Sequence, residues 1–100
     1  MTSLKVTLPD AETASRLEMD ILSAVYRELA EVDYKPIGEP GALADGRYFA
    51  LEPHGQVQVK TTGNTVTVKL SGVDADRKDV FTGALADLEQ RNDGLTGEID

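Results

Sequence analysis

The chain has 100 residues, a length that predicts a single domain. Its 40% of apolar residues can form a core, but the absence of cysteine excludes disulfides, thiolate metal sites and cysteine nucleophiles. A net charge of −8 repels phosphate backbones, so we expect no direct binding to nucleic acid.

No stretch of the sequence approaches the roughly 18 apolar residues of a membrane-spanning helix. The first five residues also lack the charged start and the apolar stretch of a signal peptide. We therefore expect a soluble cytoplasmic protein that does not bind membranes. Its acidity has two interpretations: it serves solubility, for example in a high-salt environment, or it forms a surface for a basic partner.

The chain begins with an alternating segment, Ser3 to Leu8, whose apolar residues point to one side of a predicted strand. Pro9 ends this strand, and Asp10 is placed to cap the helix that follows. From Ala11 to about Val32 the apolar residues recur at helical spacing, which predicts a long amphipathic helix.

The next segment, Lys35 to Gly46, contains two prolines and three glycines, and we expect it to be a long loop. Arg47 to Glu52 then predicts a short strand. Two further alternating strands surround the segment Thr61 to Asn64, whose Thr-Thr-Gly-Asn sequence is typical of a hairpin turn.

A second helix is predicted from Asp74, which can cap it, to about Asn92. Gly83 lies in the middle of this helix, where a small residue would allow close packing against the sheet. Gly94 ends the helix, and residues 95–100 form either a short edge strand or a loose tail.

These elements predict one α+β domain over residues 1–100, in the order β-α-β-β-β-α with an optional short final strand. Each predicted strand has one apolar face, and each predicted helix has one apolar stripe. A two-layer sandwich, with both helices on one face of a three- or four-stranded and mainly antiparallel sheet, buries all of these surfaces at once. The other face of the sheet stays open to solvent.

The sequence contains no constellation of residues that would carry catalysis. The single histidine, His54, lies in a predicted turn, and no serine has the context of an activated nucleophile. Asp74, Asp76 and Asp79 lack the glycine and the closing glutamate of a calcium loop, and no glycine-rich phosphate-binding motif occurs. We expect no enzyme activity, no cofactor and no metal ion; an enzyme that uses carboxylates alone is the remote alternative.

Two acidic residues stand out by their position. Glu18 and Glu28 fall within the apolar stripe of the first predicted helix. Long side chains of this kind can extend their carboxylates from the edge of a core into solvent. The alternatives are a buried polar contact and a contact with a partner.

The first predicted helix has a wider apolar face than two helices on a small sheet usually need. Met19 and Tyr26 lie beside the main stripe, with Leu22 and Ala30 next to them. Methionine and tyrosine are typical of interface cores, so these four residues predict a surface for a protein partner or for a homodimer mate. The alternative is that the second helix or the 35–46 segment covers them.

The open face of the sheet is a second candidate surface. Its predicted residues are Lys5, Thr7, Gln56, Gln58, Lys60, Thr65, Thr67 and Lys69. Sheets that bind single-stranded RNA usually stack bases on aromatic side chains, and this set contains none. An ordinary solvated face is one interpretation; a weak anion contact and pairing of edge strands between protomers are the others.

The run from Val6 to Ala14, a strand that enters a helix through Pro9 and Asp10, resembles the start of the small dimerising subunit of the KEOPS tRNA-modification complex. The hairpin-to-helix half, from Val59 to Leu88, is similar to that family as well. The resemblance implies two helices against a three-stranded antiparallel sheet. It also implies a non-enzymatic subunit that dimerises and docks on a catalytic subunit.

We therefore predict a non-catalytic protein-binding module that acts as a small acidic adaptor, an inhibitor or an immunity-type protein. In its most specific form, this prediction is an antagonist of a basic protein that binds nucleic acid. The alternative is a structural, dimerising subunit of a larger assembly.

Overall fold

The computed structural model describes residues 2–43, 46–73 and 77–100, and within them every side chain except those of residues 39, 40, 42 and 43. In chain order, the elements are β1 (Thr2–Thr7), α1 (Ala11–Glu31), β2 (Lys35–Leu43), β3 (Gly46–Glu52), β4 (Gln56–Thr62), β5 (Thr65–Ser71), α2 (Lys78–Arg91) and β6 (Thr96–Ile99). The predicted α+β class with two helices is confirmed for these residues. The sheet is larger than predicted, because it has six strands.

The six strands form a single antiparallel sheet in the order β2-β3-β4-β5-β1-β6. In its central part Leu4 lies opposite Val68, and Val68 lies opposite Val59, so that their apolar side chains share one face. Both helices pack on that face: α1 contacts β2, β4 and β5, whereas α2 contacts β1 and β6. The result is the two-layer arrangement expected from the sequence, with the second face of the sheet open.

The core lies between the helices and the sheet and consists mainly of aliphatic side chains. The largest fully buried residues are Phe81, Leu4, Ile21, Leu22, Leu29, Leu70, Leu88, Val6, Val25, Val57, Val59 and Val66. Burying each such side chain stabilises the fold by roughly 1.5–3 kcal/mol relative to leaving it exposed. Within the described residues, neither helix combines the length and the apolar character that crossing a membrane requires.

The start of α1 is fixed by a side-chain cap, as the sequence predicts. Asp10 has an extended backbone, and its Oδ1 accepts a hydrogen bond of 2.8 Å from the backbone N–H of Thr13. This hydrogen bond from Thr13 lowers the pKa of the Asp10 carboxyl. The helix continues to Glu31, and Asp33 then turns the chain towards β2 with a φ of 66°.

The prediction of a long loop over residues 35–46 is wrong, because Lys35–Leu43 forms strand β2. Its pairing with β3 is irregular between Ile37 and Gly41, and Gly38 lies within this irregularity with a φ of 69°. Since β2 is an edge strand, it pairs on one side only, and prolines without an N–H are tolerated there. The residues that indicated a loop are therefore compatible with an irregular edge strand.

The predicted hairpin is confirmed, with β4 ending at Thr62 and β5 beginning at Thr65. Gly63 takes a φ of 57°, whereas the Asn64 side chain donates a hydrogen bond of 3.0 Å to the carbonyl oxygen of Leu8. Of the two interpretations of residues 95–100, the edge strand is correct: β6 pairs with β1. The predicted cap at Asp74 lies outside the described residues.

Candidate functional site

The four residues predicted to form a partner surface on α1 do not form one surface. Leu22 is fully buried in the core, and Tyr26 is only partly exposed. Met19 is 49% exposed and Ala30 is exposed, but eleven residues of helix separate them by about 16 Å. The prediction is therefore corrected for Leu22, which belongs to the core, and the sulfur of the exposed Met19 lies 3.8 Å from the Arg47 guanidinium of β3.

Tyr26 packs against strand β3. Its ring meets the ring of Phe49 edge to face, with the ring centroids 5.7 Å apart. Burial raises the pKa of the Tyr26 hydroxyl, and the nearby charge of Arg47 opposes this shift only in part. Tyr26, one of the residues that widen the apolar face of α1 in the sequence, therefore packs α1 against β3.

Glu18, one of the two acidic residues singled out in the sequence, makes a polar contact with the sheet. Its carboxylate accepts a hydrogen bond of 2.6 Å from the Thr61 hydroxyl and forms an ion pair with Arg47 of β3. Burial alone would raise the pKa of Glu18, but these two hydrogen bonds and the Arg47 charge outweigh it and lower the pKa. Glu18 therefore ties α1 to β3 and β4.

Glu28, the second of these residues, lies between the two helices. A Cβ atom at Gly83 of α2 would overlap the Glu28 carboxylate, so the glycine makes room for α1 and not, as predicted, for the sheet. The residues around this position form the interhelical groove, a depression of about 230 Å³ lined by Ala24, Arg27, Glu28, Glu31 and Asp87. Three carboxylates and one guanidinium thus share one groove.

The charges in the interhelical groove are only partly balanced. Arg27 and Arg91 form ion pairs of 2.8 and 3.0 Å with the Asp87 carboxylate. Desolvation raises the pKa of Glu28, and the neighbouring Glu31 and Asp87 raise it further, whereas Arg27 lowers it. A cationic side chain from a partner would relieve this repulsion, because it would favour the ionised form of Glu28.

Acidic residues are concentrated in the helix layer, which we define as residues 10–33 and 78–93. This layer has eleven acidic and four basic residues, a net charge of −7. Strands β1, β4 and β5 have three lysines, Lys5, Lys60 and Lys69, and no acidic residue. The two layers of the fold therefore carry charges of opposite sign.

The open face of the sheet contains more residues than the sequence predicts, because β2, β3 and β6 extend it. Tyr48 lies opposite Gln58 in the register, and Ile37 lies opposite Ala50, so both large side chains are on this face. Tyr48 is 36% exposed and Ile37 is 39% exposed. The expectation that the open face has no aromatic residue is therefore corrected by Tyr48.

A shallow depression of about 310 Å³ lies on the open face next to these residues. It is lined by Lys5, Lys60, Thr62, Thr65, Thr67 and Lys69. Lys60 and Lys5 both lie opposite Thr67, one on each side, which places their Cα atoms about 10 Å apart. Apart from Thr62, the depression is lined by residues that the sequence predicts for this face.

His54 makes contacts within the fold that account for its position. Its Nδ1–H donates a hydrogen bond of 2.6 Å to the carbonyl oxygen of Gly72, and its ring meets Tyr34 edge to face with the centroids 5.5 Å apart. Across residues 2–43, 46–73 and 77–100, no three His, Cys, Asp or Glu side chains come close enough to hold a metal ion.

Sequence reasoning missed Tyr48, Glu31 and Asp87. Tyr48 precedes Phe49 in an alternating strand, so the assignment of Phe49 to the core would have indicated that Tyr48 points to the open face. Glu31 and Asp87 had no comparable signal, because their proximity depends on how the two helices pack.

Comparison with known proteins finds no matching family model, no matching curated protein and no matching solved structure. The resemblance to the small KEOPS subunit therefore stays a prediction.

Proposed function

We propose that this chain is a non-catalytic protein-binding module, an adaptor whose acidic helix layer binds a basic protein. The interhelical groove is the proposed contact point, and Glu28 and Glu31 are the residues that receive a lysine or arginine of the partner. If the partner uses the same basic surface to bind nucleic acid, the chain would block that binding and act as an antagonist.

The observation that carries this proposal is the clustering of three carboxylates, those of Glu28, Glu31 and Asp87, around one groove between the helices. Desolvation and the adjacent carboxylate of Glu31 raise the pKa of Glu28, so the ionised form of Glu28 gains from a cation placed beside it. A partner's cation in the groove would form charge-assisted hydrogen bonds with carboxylates that are already in place. Acidic residues elsewhere in the helix layer would increase the rate of association with a basic surface.

The test is capture of a partner by tagged protein from its native extract, with identification by mass spectrometry. We expect the wild type to capture a protein with a basic surface, and we expect added salt to weaken this binding. Glu31→Lys should weaken this binding at least about tenfold, because it places a cation in the groove.

Glu89→Lys is the matched control, since it makes the same change of charge on α2. Glu89 is exposed and lies two residues from Asp87, about 200° around the helix and away from the groove. If partner capture is unchanged in both variants, or is weakened equally in both, the groove is not the binding site. The alternative of a dimerising subunit predicts a stable dimer of the purified chain and no dependence on Glu31.

A further inference from the structure

The open face of the sheet places an aromatic ring, amides and lysines in adjacent rows. Across one row the register runs Tyr48, Gln58, Lys69 and Ser3, from β3 to β1. The next row contains Lys60, Thr67 and Lys5. Side chains in neighbouring positions of such rows lie about 5 Å apart across the strands, so a single extended ligand can contact several of them.

Tyr48 packs against the neighbouring strand β2. A Cβ atom at Gly41 of β2 would overlap the Cζ, Cε1 and hydroxyl atoms of the Tyr48 ring, so the ring covers the backbone of Gly41. The residue is nevertheless 36% exposed, so part of it remains open to solvent. A partly exposed aromatic ring that packs on a sheet is a platform on which a planar ligand group can stack.

The acidic helix layer does not neutralise this face. The smallest dimension of the molecule is 20 Å between Cα atoms, about twice the Debye length at physiological salt. The acidic side chains on the outer surface of the helices are therefore largely screened from a ligand on the sheet. Glu98, opposite Lys5 on the edge strand β6, is the nearest acidic neighbour of the lysine rows in the register.

We propose that the open face binds a short segment of single-stranded nucleic acid. Tyr48 stacks on a base, Lys5 and Lys69 contact phosphates, and the Gln58 amide lies beside Tyr48, where it can reach a base edge. An acidic peptide would satisfy the lysines but has no planar group for Tyr48, so the geometry favours a nucleic acid. The inference goes beyond the proposed function: an adaptor with this face would bind a basic protein on one layer and nucleic acid on the other.

The experiment is fluorescence anisotropy with a short labelled oligouridylate and, for comparison, a duplex of the same length. We expect the single strand to bind more tightly, with affinity falling as salt rises and a slope of log affinity against log salt of about −1.4 for the two contacts of Lys5 and Lys69. Tyr48→Leu should weaken binding about tenfold, because it removes base stacking. Lys5→Gln combined with Lys69→Gln should bring this slope close to zero.

Lys78→Gln is the matched control, since Lys78 is an exposed lysine at the start of α2, on the helix layer. Thermal melting of each variant, followed by circular dichroism, separates a lost contact from a lost fold. Any of these results overturns the proposal: no binding at low salt, equal binding of the duplex, an equal effect of Lys78→Gln, or a polyglutamate peptide that binds with the same dependence on Tyr48. Because Glu31→Lys acts on the other layer, a failure here is distinguishable from a failure of the protein-binding proposal.

Discussion

Tyr26 shows how one half-buried side chain can make stability depend on pH. Its ring packs against Phe49, and its hydroxyl has no hydrogen-bond partner among the described residues. Burial raises the pKa of Tyr26, so the unfolded chain releases the hydroxyl proton at a lower pH than the folded chain does. The stability associated with this shift is complete below the unfolded pKa of about 10 and is lost as the pH rises above it.

We therefore expect Tyr26→Phe to make the free energy of unfolding less sensitive to alkaline pH than it is in the wild type. Urea unfolding followed between pH 8 and about 11 would measure this difference, with a pH range that spans the unfolded pKa of tyrosine. Tyr48→Phe, at the exposed tyrosine of β3, is the control. If both substitutions change the pH dependence equally, the burial of Tyr26 is not its cause.

Glu18 illustrates what the sequence can and cannot predict at the scale of a residue. Its position within an apolar stripe indicated that its carboxylate needs a special environment. Its partners, Arg47 and Thr61, are 29 and 43 residues away in the chain. Their approach depends on the register of β3 and β4 and on the placement of α1, which no local pattern encodes.

At the scale of an element, the contact between α1 and α2 depends on Gly83. A glycine inside a helix costs up to about 1 kcal/mol relative to alanine, so Gly83→Ala would ordinarily stabilise α2. Here the added methyl group would overlap the Glu28 carboxylate, which must move to another rotamer. We expect Gly83→Ala alone to leave the free energy of unfolding of the protein nearly unchanged.

A double-mutant cycle measures this coupling. Combined with Glu28→Ala, Gly83→Ala should recover most of the helix-propensity gain of about 1 kcal/mol, because the overlapping carboxylate is gone. The measurement is the free energy of unfolding of both single variants and of the double variant. Additive effects would mean that Gly83 and Glu28 do not share the space between the helices.

The helices and the central hairpin could be predicted because their signals are local. The cap at Asp10, the helical spacing that follows it and the alternation around Gly63 all act within a few residues. Strand β2 could not be predicted in the same way. Prolines and glycines ordinarily interrupt a strand. Here they are tolerated because β2 pairs with β3 on one side only, and because Gly38 lies where the pairing with β3 is irregular.

At the scale of the whole molecule, folding brings together acidic segments that are far apart in the sequence. Along the sequence, residues 1–50 and residues 51–100 each have nine acidic and five basic residues, so the two halves of the chain do not differ in charge. Folding collects most of the acidic residues in the helix layer and three lysines on β1, β4 and β5. A prediction of either binding surface therefore needs the topology of the sheet as well as the composition.

This separation also predicts how stability responds to salt. With a net charge of −7 in the helix layer, repulsion between carboxylates opposes the packing of α1 beside α2. The ion pairs of Arg27 and Arg91 with Asp87 act in the opposite sense, but they are partly exposed and contribute little. We expect the Tm to rise by several degrees as sodium chloride increases from low to physiological concentration and above, since salt screens the repulsion. Glu31→Lys should raise the Tm at low salt and reduce its dependence on salt, whereas a Tm that falls with added salt would show that the ion pairs outweigh the repulsion.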